Sequence, residues 1–212
     1  MSSADPRVRA VLKLAPVIPV FTPDDIDDAV QVAQALLRGG LPVIEVTLRT
    51  PRAMEAIKAM VEAVPDAVIG AGTVLDARQF ETLTAIGGRF AVSPGATERL
   101  YAAARDTGLP FLPGVATSSE LMRGLEEGLD TFKFFPAVQA GGVGMLSAWN
   151  GPFGDVRFCP TGGITAQTAT QFLHLPNVLC VGGSWLTSRD LLQKRDWAQI
   201  EELARQAAAL AG

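Results

Sequence analysis

Eight short apolar runs divide this chain, beginning near Val17, Val43, Val68, Arg89, Pro110, Thr131, Arg157 and Val178. Their spacings are 26, 25, 21, 21, 21, 26 and 21 residues, and each run is followed by a turn and a helical pattern. No linker, low-complexity tract or shift in composition separates the units. Eight parallel strands, each followed by a helix, predict an α/β chain closed into a (β/α)8 TIM barrel. An N-terminal helix precedes the barrel, and residues 1–212 are expected to form one domain. The alternative is an open, doubly wound sheet. Against it, the first strand–helix turn, Phe21-Thr22-Pro23-Asp24, lacks the GxGxxG pattern. Several strands also carry polar residues at one parity, as a barrel with a polar upper interior requires.

Local signals agree with the count. Asp5-Pro6 opens a helix through about Leu14, with proline at its first position. Asp76-x-x-Gln79 and Thr117-x-x-Glu120 read as capping boxes, and Thr50-Pro51, Thr97 and Thr165 as further helix starts. Gly39-Gly40, Gly87-Gly88, Gly108 and Gly128 stand where helices should end. Residues 197–211 read as a closing amphipathic helix.

Composition narrows the chemistry. Apolar residues make up 48% of the chain, enough for a sizeable core, and the net charge of -4 offers no basic footprint for nucleic acid. No apolar run approaches the roughly 20 residues that cross a bilayer. Met1 to Ala10 lacks the apolar core of a signal peptide. Two cysteines, Cys159 and Cys180, without a CxxC fit buried thiols in a reducing cytosol. The single histidine, His174, argues against a histidine metal site or a Ser-His-Asp triad. The chemistry must therefore come from carboxylates, lysine or backbone.

The sixth run, Thr131-Phe132-Lys133-Phe134-Phe135-Pro136-Ala137, sets a lysine among three phenylalanines. Strand alternation puts Phe132 and Phe134 on one face and Thr131, Lys133 and Phe135 on the other. A desolvated lysine tends to give up its proton and become a nucleophilic amine. The second run places Val43, Glu45, Thr47 and Arg49 on one parity and Ile44, Val46 and Leu48 on the other. In an eight-stranded barrel the second and sixth strands face each other, so Glu45 and Lys133 should meet at the mouth. A buried ion pair that merely holds the barrel together is the structural alternative. Arg49 suits a carboxylate through its two-pronged guanidinium. Gly70-Ala71-Gly72-Thr73 offers glycines past which a ligand could reach the backbone, and a hydroxyl; tight packing explains those glycines equally well. Glycine pairs close the seventh and eighth runs, Gly162-Gly163 and Gly182-Gly183, the latter followed by Ser184. Such loops are where barrels of this kind bind phosphate.

These stretches resemble the 2-keto-3-deoxy-6-phosphogluconate (KDPG) and 4-hydroxy-2-oxoglutarate (KHG) aldolase family of class I. The likeness is carried by Glu45–Thr50, Gly70–Val74, Ser93-Pro94-Gly95, Phe132–Ala137, Pro160–Ile164 and Gly182–Trp185, in matching order and spacing. The resemblance implies that Lys133 forms a Schiff base with the 2-oxo carbon and that Glu45 moves protons through a water. It implies Arg49 and Thr73 for the substrate carboxylate and Pro94 for the water. Gly162, Gly163 and Ser184 would hold phosphate, while Phe135 and Thr161 would wall the sugar and bias its stereochemistry. It further implies a homotrimer; the cysteine usage points to the cytoplasm, and imine chemistry of this kind needs no metal and no cofactor. Two other readings compete: a phosphate-binding barrel isomerase or epimerase with a purely electrostatic Lys133, and a non-catalytic sugar-phosphate sensor.

Overall fold

The computed structural model describes residues 6–210, so the Asp5 cap lies outside the described residues. A first helix, α1 (Pro6–Leu12), precedes the barrel strands. These are β1 (Val17–Phe21), β2 (Val43–Thr47), β3 (Val68–Gly72), β4 (Ala91–Val92), β5 (Phe111–Leu112, resumed as Gly114–Val115), β6 (Thr131–Phe134), β7 (Arg157–Pro160) and β8 (Val181–Gly183). Between them run α2 (Ile26–Arg38), α3 (Ala53–Ala63), α4 (Ala77–Ala85), α5 (Glu98–Thr107), α6 (Ser118–Glu126), α7 (Gly142–Trp149) and α8 (Ala166–Leu173). A 3-10 turn (Trp185–Thr187), α9 (Arg189–Lys194) and α10 (Trp197–Ala208) complete the chain.

All pairings are parallel, and the ring closes. β1 pairs with both β2 and β8, and the ladder continues through β3 and β4 to the first half of β5. The second half of β5 pairs with β6 through Gly114↔Lys133, and β6 pairs with β7. Two bridges, Phe158↔Val178 and Thr161↔Gly182, join β7 to the eighth segment. β5 breaks at Pro113, which has no N–H to give the ladder; its carbonyl still accepts from the Lys133 amide at 2.9 Å. The fourth and eighth strands begin later than the apolar runs that announce them. Arg89 and Leu179 still donate backbone bonds to the neighbouring strand, at 2.8 and 3.0 Å, ahead of the regular ladder.

Two apolar layers hold this ring. Outward side chains such as Ile44, Val46, Phe132 and Phe134 pack under the helices. Trp149 of α7 lies edge-on to Phe134 and stacked on Phe158, with ring centroids 5.3 and 5.5 Å apart. Its indole N–H is satisfied by Ser118 Oγ at 3.0 Å. The inner layer joins Ile18, Val43, Phe90, Val92, Leu112, Cys159 and Cys180 to Val8 and Leu12 of α1. The first helix is thus a plug at the N-terminal ends of the strands. Arg9 fixes it there, pairing with Asp130 at 2.8 Å and donating to Thr131 Oγ1 at 3.2 Å. Both cysteines are free and behave as small apolar groups, and burial pushes the Cys180 thiol well up. Because this plug fills the lower barrel, the polar inward positions Glu45 and Lys133 sit towards the opposite mouth.

Both capping boxes form as expected, at Asp76/Gln79 and Thr117/Glu120. Thr50-Pro51 does not start a helix directly. It makes a turn first, and α3 begins at Ala53. α1 stops at Leu12, two residues before the expected end. Among the described residues no helix is long and apolar enough to cross a membrane.

Candidate active site

Glu45 and Lys133 meet inside the ring. Lys133 Nζ lies 2.9 Å from Glu45 Oε1 and 3.2 Å from Oε2, and the two side chains are only 4% and 6% exposed. Taking two charges out of water costs several kcal/mol per ion, and their mutual attraction offsets this only with good geometry. An apolar pair of similar volume would hold the barrel as well. The pair is therefore weak evidence for stability and stronger evidence for chemistry. The structure places a specific acceptor beside the lysine: a carboxylate within hydrogen-bond reach of Nζ. Phe135, half-buried, turns its ring towards the amine at 5.3 Å from the centroid.

Gly72 makes room for this arrangement. It pairs with Thr47 across the β2–β3 ladder, and a Cβ added there would lie 2.7 Å from both Cγ and Cδ of Glu45. Gly70 is likewise filled, by the Phe90 ring at 2.5 Å. The suggestion that these glycines open the backbone to a ligand is thus corrected: protein side chains occupy the space. Gly72→Ala should push the Glu45 carboxylate off Lys133. We expect kcat to fall by roughly tenfold or more, since small misplacements of reacting groups carry costs of this order. Wild-type kcat with a cooperatively melting Gly72→Ala protein would show that the notch plays no such part.

The substrate-binding candidates line the same C-terminal rim. β2 ends at Thr47, so Arg49 lies beyond the strand and is exposed rather than on the inward parity first assigned to it. It still reaches the site's edge, donating from Nε to Thr73 Oγ1 at 3.2 Å. Thr73 has φ 59°, a left-handed conformation that costs a β-branched residue roughly 1–3 kcal/mol. That strain turns its hydroxyl towards Arg49, so a hydroxyl and a guanidinium stand side by side. Thr47, fully buried, shares a hydrogen bond of 2.8 Å with Thr22 from the loop after β1. The sequence reading gave neither threonine of this pair a role. Only the inward parity of Thr47 could have pointed to it. Pro94 is half-buried in the turn after β4, and its carbonyl packs where Gly114 has no side chain.

The two glycine pairs differ. Gly162 and Gly163 have φ 106° and 75°, a backbone that L side chains rarely adopt, and both are at least partly open to solvent. Gly182 and Gly183 are buried instead. A Cβ at Gly182 would meet Thr161 Cγ2 at 2.8 Å, and one at Gly183 would meet the Trp185 ring at 2.5 Å. The second pair is a packing feature, and only Ser184, immediately after it, is exposed. Thr161 is buried above Cys159, with Oγ1 3.4 Å from the Cys159 carbonyl oxygen.

A closed β/α barrel carries a buried amine and its carboxylate partner towards its C-terminal rim, an arrangement suited to the aldolase type of barrel lyase. Comparison with known proteins makes this specific. Residues 8–203 match the family model described as KDPG and KHG aldolase, and the chain belongs to that family. It is 50% identical over 199 residues to the 2-dehydro-3-deoxy-phosphogluconate aldolase of Dickeya dadantii, covering 94% of this chain and 93% of that one. It is 49% identical to the KHG/KDPG aldolase of Escherichia coli, with 93% of each chain covered. Among solved structures, it superposes with TM-score 0.93 and 47% identity on the KDPG aldolase of Legionella pneumophila. That protein was solved with pyruvate captured as a covalent carbinolamine, and the match covers 95% of this chain and 98% of the other. The same score, with 49% identity over 98% and 97% of the chains, relates it to the Zymomonas mobilis enzyme bound to 3-phosphoglycerate.

Proposed function

We propose that the protein cleaves 2-keto-3-deoxy-6-phosphogluconate to pyruvate and glyceraldehyde 3-phosphate, and 4-hydroxy-2-oxoglutarate to pyruvate and glyoxylate, through a Schiff base on Lys133. The 2.9 Å contact between the buried Lys133 and Glu45 carries this reading. Glu45 accepts a proton from the ammonium, and the free amine attacks C2 to give a carbinolamine. Glu45 returns that proton to the departing hydroxyl, so loss of water leaves a protonated imine, a far better electron sink than a ketone, and Glu45 is a carboxylate again. Glu45 then takes the C4 hydroxyl proton, directly or through a water beside Pro94. The C3–C4 bond breaks, the aldehyde departs, and the bonding pair becomes the enamine. Protonation at C3 and hydrolysis release pyruvate and regenerate the amine.

The remaining roles belong to the same proposal. Arg49 and Thr73 hold the carboxylate next to C2. Gly162, Gly163 and Ser184 hold the phosphate, so the substrate is fixed at both ends and the cleaved bond is oriented against the imine plane. Phe135 and Thr161 line the space between. The 212 residues act as one (β/α)8 domain, working as a cytoplasmic homotrimer. Support for the catalytic and carboxylate-binding assignments is the contact of Lys133 with Glu45 and of Arg49 with Thr73, together with the covalent pyruvate of the Legionella relative. The test is release of pyruvate from each purified substrate, followed in a coupled assay. Pyruvate release from both is expected, whereas ligand binding without release would favour a sensor.

A further inference from the structure

Beside Ser184 the structure holds a cavity of about 650 Å³. Thr22, Asp24, Ser184, Thr187, Ser188 and Arg189 supply its polar lining. Its only cation is Arg189, the first residue of α9. Other cations on this segment already have acids: Lys194 pairs with Asp190 at 2.8 Å and Arg195 with Asp28 at 3.0 Å. Among the described residues the Arg189 side chain has neither an ion pair nor a hydrogen bond, and Asp24, which lines the same cavity, forms no ion pair with it. An exposed guanidinium is often just solvated. Here it borders a cavity that also contains the hydroxyl assigned to the phosphate.

We propose that Arg189 is a specificity residue: it reaches the terminal phosphate of the six-carbon substrate and sets the preference for that substrate over the five-carbon diacid. The proposal rests on the aldolase reading of the site. With C2 tied to Lys133, chain length decides which anion can approach the cavity. The phosphorus of the six-carbon acid lies about three bonds farther from C2 than the distal carboxyl carbon of the diacid. The phosphate is therefore the anion carried farther from Lys133. A guanidinium matches a phosphate through paired N–H donors, and such charge-assisted bonds are about twice as strong as neutral ones. Asp24 lines the same cavity, and its negative charge works against phosphate binding there.

The test compares wild type, Arg189→Gln and Asp24→Asn on both substrates, with inorganic phosphate as a competing probe. For Arg189→Gln we expect KM for the phosphorylated acid to rise roughly tenfold, the scale of one lost charge-assisted contact, with kcat within about twofold. Inhibition by phosphate should weaken in parallel, and both constants for the diacid should stay unchanged. Asp24→Asn should lower KM for the phosphorylated acid alone. Equal changes on both substrates, or none on either, would overturn the role of Arg189 while leaving the aldolase reading intact. If wild type releases no pyruvate from either substrate, the aldolase reading itself fails, and this inference with it.

Discussion

Lys133→Gln should lose all measurable cleavage of both substrates, because among the described residues Lys133 is the one lysine buried inside the ring to form the imine. The variant also tests how the pair is held. Removing one partner of a buried ion pair leaves the other charge poorly compensated and costs about 3–5 kcal/mol. Glutamine softens this by offering its amide N–H groups to Glu45. Against a total stability of about 5–15 kcal/mol, the loss should be visible as a lower melting temperature. The double variant Lys133→Gln, Glu45→Gln removes both charges and should melt at or above the single one while staying inactive. That pattern separates the chemistry from the fold. A Lys133→Gln protein that still cleaves substrate would mean that the amine is electrostatic only, as in an isomerase.

Glu45→Gln is the second large effect, and it divides the mechanism. Glutamine keeps the shape and can still accept a hydrogen bond from Lys133 through its carbonyl oxygen. It cannot take or return a proton. General acid–base catalysis is typically worth 10²–10⁴-fold, so cleavage should fall by that order. Exchange of the pyruvate methyl protons with deuterated water should slow equally, since it needs the same base at C3. Imine formation should survive, with pyruvate still trapped on Lys133 by borohydride. Methyl exchange at the wild-type rate in Glu45→Gln would remove Glu45 from this role.

Much of this site could be read from the chain because strand periodicity is rigid. Once eight runs are granted, the parity of Glu45 and Lys133 and the opposition of strands two and six follow from geometry, and the ion pair follows from both. Strand ends were less legible. Arg49 keeps the inward parity on paper, but the strand stops at Thr47, and a residue in a turn no longer obeys alternation. The eighth run announces itself at Val178, where only a bridge forms, and the ladder begins at Val181. Glycines were ambiguous for another reason. A glycine reports that something comes close, and the sequence does not say what. At Gly72 and Gly182 the close neighbour is the side chain of Glu45 or Thr161, while Gly162 and Gly163 carry the positive φ that a turn demands. The plug made by α1 was invisible, because Val8 and Leu12 look like any amphipathic helix until the open end of a barrel is there to receive them.

The most direct measurement is reduction of the protein with borohydride in the presence of pyruvate, followed by peptide mapping. The account predicts one covalently added pyruvate-derived group, on Lys133, and none in Lys133→Gln. Modification at a different lysine, or an unmodified protein that still turns substrate over, would contradict it.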